Sequence, residues 1–318
     1  MNKLFKYALL GAISLIIIGA LISSFTYEKT ISFFKEKNYD LIEKNETINS
    51  MGISKLVVSA KNENVTIIPV DGDNIYLKYF ESPSYVYDFT VENGVIKLLS
   101  RYKGLNTDNF MVLNINFASP YVEVQIPRDL ILELDIKTTN SKIKINDLHL
   151  TNSSFVSTNG KISLKNIISN EKLFIKTTND NITFDNVSSP HMDLKTSNNK
   201  IVINNVSTNY LEAITTNGRI SLNDFSNPGN TILKTSNSSI EFNNVTVTKL
   251  DARTTNDKIV GNINQNFNNC NIDFKTSNDR IKINDNRYSK SLQILQNFEC
   301  SLKLKTSNGK ITLNIKED

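Results

Sequence analysis

The sequence predicts an all-β protein: a single-stack β-solenoid (a parallel β-helix-like fold) of about 19–20 residues per coil, preceded by one transmembrane helix. Three observations predict it. An uncharged stretch near the N-terminus is long enough to cross a bilayer. A short polar turn motif recurs through the rest of the chain, and apolar residues alternate with polar ones on both sides of it.

The N-terminus predicts membrane anchoring. Residues 1–6 form a short basic tail, and the 18 residues from 8 to 25 carry no charge. As a helix they would rise about 27 Å, close to the thickness of a bilayer core. We therefore expect a cytoplasmic tail at 1–6, a membrane helix at 7–26 and a C-terminal domain outside the cell membrane. A cleaved signal peptide is the alternative, although 22–24 match a small-x-small cleavage site poorly.

The chain between the anchor and the regular repeats is predicted in two parts. Residues 27–52 are charged with scattered apolar positions, which indicates a partly helical stalk or linker. Residues 53–130 carry degraded forms of the repeat, with Asn62 and Asn93 at its turns, and we expect irregular coils that cap the stack. Residues 121–127 alternate and lead into the first regular coil.

The regular repeats occupy 131–318. The motif is two Thr or Ser residues, then Asn, with Ile three positions after the Asn every time. The steps between successive Asn residues are 19, 20, 19, 19, 20, 19, 22 and 30 residues. The nine motif asparagines are Asn140, Asn159, Asn179, Asn198, Asn217, Asn237, Asn256, Asn278 and Asn308.

The alternation on both sides of the motif predicts two short strands per coil, each with one buried face. Coils stacked in register would cover each other's apolar residues and place Asn above Asn and Thr above Thr, with side-chain hydrogen bonds along each column. Asn/Asp pairs such as Asn204-Asn205 mark a second bend. We expect the coils to stack in chain order, with the charged residues 316–318 protecting the last strand from edge pairing.

Several segments resemble the bacterial adhesin-like family of β-strand repeats, domain of unknown function 4097. The resemblance rests on the turn sequences at 157–162, 215–220 and 306–311 and on the strand-like segment 122–127. It extends over about 53–316. It implies a β-repeat domain that follows a membrane segment at the cell envelope, and it implies little about molecular activity.

Two outward columns beside the turn are rich in Lys and Arg, three residues before and two residues after the motif Asn. We expect them to form a basic ridge that binds a polyanion such as teichoic acid or anionic lipid headgroups. The alternative is neutralisation by acidic residues five positions before the Asn, such as Asp135 and Glu212. The basic ridge consists of Lys137, Lys142, Lys176, Lys195, Lys200, Arg219, Lys234, Arg253, Lys258, Lys275, Arg280, Lys305 and Lys310.

The two cysteines, Cys270 and Cys300, each precede a motif Asn by eight residues. Stacking would bring their Cα atoms within disulfide range, so they are either a bridge or two buried thiols. His149 and His191 occupy different positions in the repeat, which argues against a metal pair. Calcium is not expected either, because no Gly-Gly-x-Gly-x-Asp repeat occurs.

These features predict a non-enzymatic interaction or structural protein of the cell envelope. Its partners would be the membrane and a cell-wall polymer or another envelope protein. Lys+Arg 36 against Asp+Glu 32 is close to neutral and does not predict nucleic-acid binding. Two alternatives remain: an accessory regulator of an envelope-stress signalling system, and a polysaccharide-active enzyme. No catalytic residue, metal site or cofactor is predicted.

Overall fold

The computed structural model describes residues 41–82, 85–103 and 120–316. The strands in these ranges belong to one compact unit of the chain. In the described part of the chain, no helix is long and apolar enough to cross a bilayer. The tail and membrane helix expected over 1–26 lie outside the described residues.

Each regular coil contributes one strand before its Asn turn and one after it. The strands before the turns pair in parallel, coil upon coil, and are named column A. An antiparallel strand covers each end of the column. In spatial order column A consists of β5 (Tyr85–Glu92), β6 (Val95–Tyr102), β2 (Lys55–Ser59), β8 (Glu133–Thr138), β10 (Ser153–Ser157), β12 (Lys172–Lys176), β14 (His191–Lys195), β16 (Tyr210–Ile214), the second halves of β17 (Ile220–Lys234) and β18 (Ile240–Arg253), β24 (Cys300–Lys305), β20 (Cys270–Lys275) and β23 (Ser291–Ile294).

The strands after the turns form column B, which is also parallel except at its ends. Both columns bury their inward side chains in one core. A short 3-10 turn, Phe267–Asn269, precedes β20. In spatial order column B consists of β1 (Ile42–Asn49), β4 (Asn74–Glu81), β7 (Tyr121–Pro127), β3 (Asn64–Val70), β9 (Ile143–Leu150), β11 (Ile162–Ser169), β13 (Ile182–Ser188), β15 (Ile201–Ser207), the first halves of β17 and β18, β19 (Ile259–Asn266), β25 (Ile311–Lys316), β21 (Ile281–Ile283) and β22 (Asn286–Tyr288).

The isoleucines that follow the motif Asn stack directly on one another. Ile162 is in register with Ile143 on one side and Ile182 on the other, and Ile182 is in register with Ile201. All four are completely buried. Each such side chain contributes about 1.5–3 kcal/mol by leaving water. The predicted continuous apolar interior is therefore confirmed.

The second bend of the coil is also confirmed, and it is where the backbone becomes left-handed. Six coils place an Asn or Asp there with φ between 49° and 58°. These are the residue types that adopt this conformation most readily after glycine. Their amides bond along the stack, for example Asn166 Nδ2 to Asp147 Oδ1 at 2.6 Å. The six residues are Asp147, Asn166, Asn186, Asn205, Asp224 and Asn244.

The last coil of the chain is not the last coil of the stack. Strand β24 lies between β18 and β20, and β25 lies between β19 and β21. Stacking in chain order is therefore wrong at this end. The reason is that antiparallel β23 and β22 already pair with the outer edges of β20 and β21. Only the inner edges of β20 and β21 remain open, and the last two strands of the chain, β24 and β25, pair there. Lys316 ends an internal strand, and the antiparallel strands protect the edge instead.

The N-terminal end is built in the same way. Strand β2 lies between β6 and β8, and β3 lies between β7 and β9. The interpretation of Asn93 as a coil turn is wrong. Asn93 and Gly94 have φ values of 51° and 75° and turn β5 back onto antiparallel β6 as a hairpin. Asn-Gly favours this type of turn because both central residues need positive φ.

The prediction of a partly helical linker over 27–52 is also wrong for Ile42–Asn49, because these residues form β1. This strand pairs antiparallel with β4 along its whole length. Ile48 packs against the core and lies opposite the completely buried Ile75. Without β1 the hydrogen-bonding edge of β4 would be open, and closing that edge favours a strand over a helix.

Candidate functional site

The turn edge of the solenoid is organised by a ladder of asparagine side chains. Each motif Asn donates from Nδ2 to Oδ1 of the Asn on the neighbouring coil, at 2.5–2.8 Å. Asn62 belongs to the ladder, which confirms it as a coil turn. The bonds also follow the exchanged coil order, because Asn278 donates to Asn308 and Asn308 donates to Asn256. This ladder holds the turns in register and explains why Asn recurs there.

The threonines below the ladder bond differently from the expectation. Two residues before each motif Asn, a buried Thr or Ser donates its hydroxyl to a backbone carbonyl of the adjacent coil instead of to the next hydroxyl. Thr177 Oγ1 donates to the Gly160 carbonyl at 3.0 Å, and Thr215 Oγ1 donates to the Asn199 carbonyl at 3.1 Å. Turn carbonyls are thus satisfied inside the stack, where water cannot reach them.

Glycine follows the motif Asn where coils approach closely. A Cβ built on Gly160 or Gly218 would lie 1.7 Å from the carbonyl oxygen of Ser141 or Asn199 on the next coil. Backbone contact, not positive φ, explains these glycines, because neither residue adopts positive φ.

Replacing Thr215 by valine should lower the free energy of unfolding by about 1–3 kcal/mol, because a buried carbonyl and a buried N–H lose their partner. Thr215 is 3% exposed, and its hydroxyl also accepts from Gly218 N at 3.1 Å. The exposed neighbour Thr216 is the control, and Thr216→Val should change stability by less than about 0.5 kcal/mol. Urea denaturation of both variants measures the difference. Equal losses of stability in the two variants would show that the hydrogen bonds of the Thr215 hydroxyl do not stabilise the fold.

The basic ridge lies on the outside of this turn edge. Within column A its members are direct neighbours: Lys234 is opposite Arg253, Arg253 opposite Lys305, and Lys305 opposite Lys275. Val156 and Ile214 interrupt the ridge earlier in the stack. The structure therefore places the predicted residues at successive coils, with their longest uninterrupted run at the C-terminal end.

Acidic neighbours neutralise part of the ridge. Lys195 Nζ lies 3.0 Å from Glu212, and its hydrogen bond to that carboxylate raises the pKa of Lys195. The hydrogen bonds that Arg253 donates to the Asp251 carboxylate likewise raise the pKa of Arg253. The ion-paired members and their distances are Lys137–Asp135 3.3 Å, Lys195–Glu212 3.0 Å, Arg219–Glu241 3.0 Å, Arg253–Asp251 2.5 Å, Arg280–Asp279 4.0 Å and Lys305–Asp273 3.2 Å.

The other members have no ion pair with any residue that the structure describes. All are exposed apart from Lys258, which is partly exposed. The predicted neutralisation by acidic neighbours therefore applies to six ridge cations and not to the other seven. These seven are Lys142, Lys176, Lys200, Lys234, Lys258, Lys275 and Lys310.

Cys270 and Cys300 are opposite each other in β20 and β24 and form a disulfide, with Cα atoms 4.6 Å apart. The disulfide joins the coil of Asn308, which is the last in the chain, to the coil of Asn278, which lies outside it in the stack. His149 bonds Asn170 at 2.8 Å, and His191 stacks on the ring of Tyr210. Among the described residues no cluster of His, Cys, Asp and Glu could hold a metal ion.

A second outward surface was not predicted from the sequence. The outer faces of β4 and β7 carry Tyr76, Phe80 and Tyr121, and Tyr76 lines a shallow groove formed by β1, β4 and β7. The signal was available in the alternation of residues 75–80, where three aromatic or basic side chains alternate with three core residues. The groove, however, is formed by strands that are distant in the sequence, and their pairing could not be read from it.

The geometry defines a class of protein: a stacked β-solenoid with an amide ladder and a row of cations along its turn edge. Within that class, the chain belongs to the Toastrack DUF4097 family, whose sequence model matches residues 53–234. The resemblance noted in the sequence is thereby confirmed over 53–234, the first part of the 53–316 over which it was expected. No curated protein matches the chain.

Several solved structures match the chain at low sequence identity. A candidate cell adhesion protein from Clostridium sporogenes is 10% identical, with 88% of this chain and 100% of that chain covered and a TM-score of 0.27. A candidate adhesin from Bacteroides fragilis is 9% identical, with 87% and 97% covered and a TM-score of 0.33. A candidate lipid-binding protein from Parabacteroides distasonis is 13% identical, with 87% and 98% covered and a TM-score of 0.27. With TM-scores below 0.5, these similarities carry no conclusion about this chain.

Proposed function

We propose that this chain is a non-enzymatic interaction protein of the bacterial cell envelope, and that its solenoid binds linear polyanions along the basic ridge. The segment 7–26 anchors it in the cell membrane, with the C-terminal domain outside. The observation that carries the proposal is the set of seven ridge lysines that lack an ion pair among the described residues.

The cost of stacking like charges supports a polyanionic partner. Coils repeat at about 4.8 Å, so cations on neighbouring coils repel one another by a few tenths of a kcal/mol or more. A linear polymer with regularly spaced negative groups would offset this repulsion at many coils at once.

The cations of the basic ridge are most closely spaced at the C-terminal end of the stack. The coils of Asn256, Asn308 and Asn278 are consecutive, and each carries a cation on both sides of its turn. The middle coil has Lys303 where its two neighbours have Asp251 and Asp273. A phosphodiester polymer such as teichoic acid is therefore expected to bind most tightly here.

Replacing Lys234, Lys258, Lys275 and Lys310 together by glutamine should weaken teichoic-acid binding roughly 100-fold at low salt, since each exposed cation contributes up to about 1 kcal/mol. The slope of log affinity against log salt should become shallower by about 3, because four fewer counterions are displaced. The full chain in detergent, tested against the immobilised polymer, measures both quantities.

The matched control removes four exposed lysines outside the ridge: Lys97, Lys144, Lys290 and Lys316. Net charge then changes equally in both variants, so only position differs. If the control variant loses as much affinity as the ridge variant, attraction is a property of total charge and the ridge is not a site. If the unchanged protein does not bind teichoic acid at low salt, the proposed function is wrong.

A further inference from the structure

The N-terminal end of column B presents aromatic rings to solvent. Along β4, Ile75, Leu77 and Tyr79 point into the core, so the alternate residues Tyr76, Lys78 and Phe80 point outward. Tyr121 of β7 packs edge-on against Phe80, with ring centroids 5.0 Å apart. Tyr76 remains 38% exposed, so its ring is accessible to a ligand.

Polar side chains surround these rings. A groove of about 170 Å³ runs across β1, β4 and β7, and Tyr76 lines it. Tyr76 lies opposite Thr47 on one side and Gln125 on the other, and Lys78 lies between Asn45 and Glu123 in the same way. The groove therefore offers hydroxyl, amide and carboxylate groups next to an exposed aromatic face.

The positive charge of this surface is already paired, whereas Glu123 has no ion pair among the described residues and accepts a hydrogen bond from Gln125 Nε2 at 2.9 Å. Lys78 Nζ lies 2.9 Å from Glu43 and about 6 Å from the centres of the Phe80 and Tyr121 rings. Hydrogen bonds from Asn45 and then Lys78 lower the pKa of Glu43, and the bond to Glu43 raises the pKa of Lys78. With Glu123 also present, the surface carries no excess of positive charge. It differs in this respect from the basic ridge and disfavours a polyanion.

We infer that this surface, which we call the aromatic platform (Asn45, Tyr76, Lys78, Phe80, Glu123 and Gln125), binds a neutral oligosaccharide. Sugar rings present C–H groups on one face and hydroxyls at their edges. An aromatic ring packs against the C–H face of the sugar. The amides and carboxylates beside the aromatic ring form hydrogen bonds with the hydroxyls at the edge of the sugar. Tyr76 and Phe80 are four residues apart on one strand, about 14 Å. That distance fits a short chain of sugars better than a single ring.

The polar rim also distinguishes this ligand from other partners. A lipid tail would displace water from the groove's amides and carboxylates without offering them hydrogen bonds, which is unfavourable. A protein partner would need a larger apolar centre than the rings of one strand pair provide. A neutral glycan can pack against the aromatic rings and also form hydrogen bonds with the polar side chains around them.

The test uses the full chain in detergent and two soluble probes, cellotetraose and chitotetraose. Saturation-transfer NMR and calorimetry should detect binding of at least one probe, and Tyr76→Ala should weaken it at least tenfold. Tyr210→Ala is the matched control, since Tyr210 is an outward tyrosine of column A that stacks on His191, and it should bind like the unchanged protein.

Salt separates this site from the basic ridge. Binding of a neutral sugar should change less than twofold between 50 mM and 500 mM salt, since no counterions are released, whereas binding to the ridge should be lost. Gln125→Ala keeps the rings and removes one rim amide, so it tests the site if Tyr76→Ala lowers the melting temperature. Absence of binding to both probes, or unchanged affinity in both variants, overturns the inference and leaves the ridge proposal untouched.

Discussion

Replacing Phe184 by alanine should lower the free energy of unfolding by about 3–5 kcal/mol, because a large side chain leaves a cavity in the stack. Phe184 is completely buried in β13 and lies in register between Leu164 and Ile203. Both neighbours belong to strands that are hydrogen-bonded on two sides. The coils cannot move together to close the cavity without breaking these backbone hydrogen bonds. The loss of unfolding free energy should therefore fall in the upper part of the usual range.

Thr183→Ala is the control for this prediction. Thr183 is the neighbouring outward residue of the same strand and is half-buried, so its truncation should cost less than about 0.5–1 kcal/mol. Urea denaturation gives the global effect, and hydrogen exchange of Ile182–Ser188 gives the local one, since solenoids can lose stability locally. Equal effects of the two substitutions would mean that residue 184 is not in a packed interior.

Replacing Cys270 and Cys300 together by alanine should cost about 3–4 kcal/mol, because the bridge closes a loop with a sequence separation of 30 residues. Alanine is chosen because Cys270 is 1% exposed and serine would bury an unpaired hydroxyl there. The loss should be local, since the bridge joins the inserted last coil to the coil that covers it.

Hydrogen exchange tests that location. Amides of β20, β21, β24 and β25 should exchange faster in the double variant, while those of β11, β13 and β15 should be unchanged. Reduction of the unchanged protein with dithiothreitol should reproduce the pattern and serves as the control. Uniformly faster exchange along the whole stack would contradict a local role, and no change at all would mean that the covering strands hold the end without the bridge.

The central stack could be predicted from its sequence because its signals are local. A motif Asn every 19 or 20 residues, with Ile three positions later, already specifies which side chains lie above one another. The asparagine ladder and the isoleucine rod follow from that spacing. Ile162, Ile182 and Ile201 are buried in one column as a direct consequence.

The two ends could not be predicted from the same signals. The coils of Asn256, Asn278 and Asn308 carry the same motif, so nothing local distinguishes one order of stacking from another. The thiols of Cys270 and Cys300 would be neighbours in chain order and in the exchanged order alike. The Asn93-Gly94 turn fits both a coil and a hairpin until its partner strands are known.

The amino-acid sequence by itself determined the repeat length, the two strands per coil, the buried and exposed positions, and the residues of the ridge. These properties follow from hydrophobic periodicity and from the conformational preferences of Asn, Thr and Gly, which act within about twenty residues. Only the tertiary structure decided the order of the end coils, the closing strands β1, β5, β22 and β23, and the aromatic platform. Those features depend on which open strand edge finds a partner, and that is settled between segments far apart in the chain.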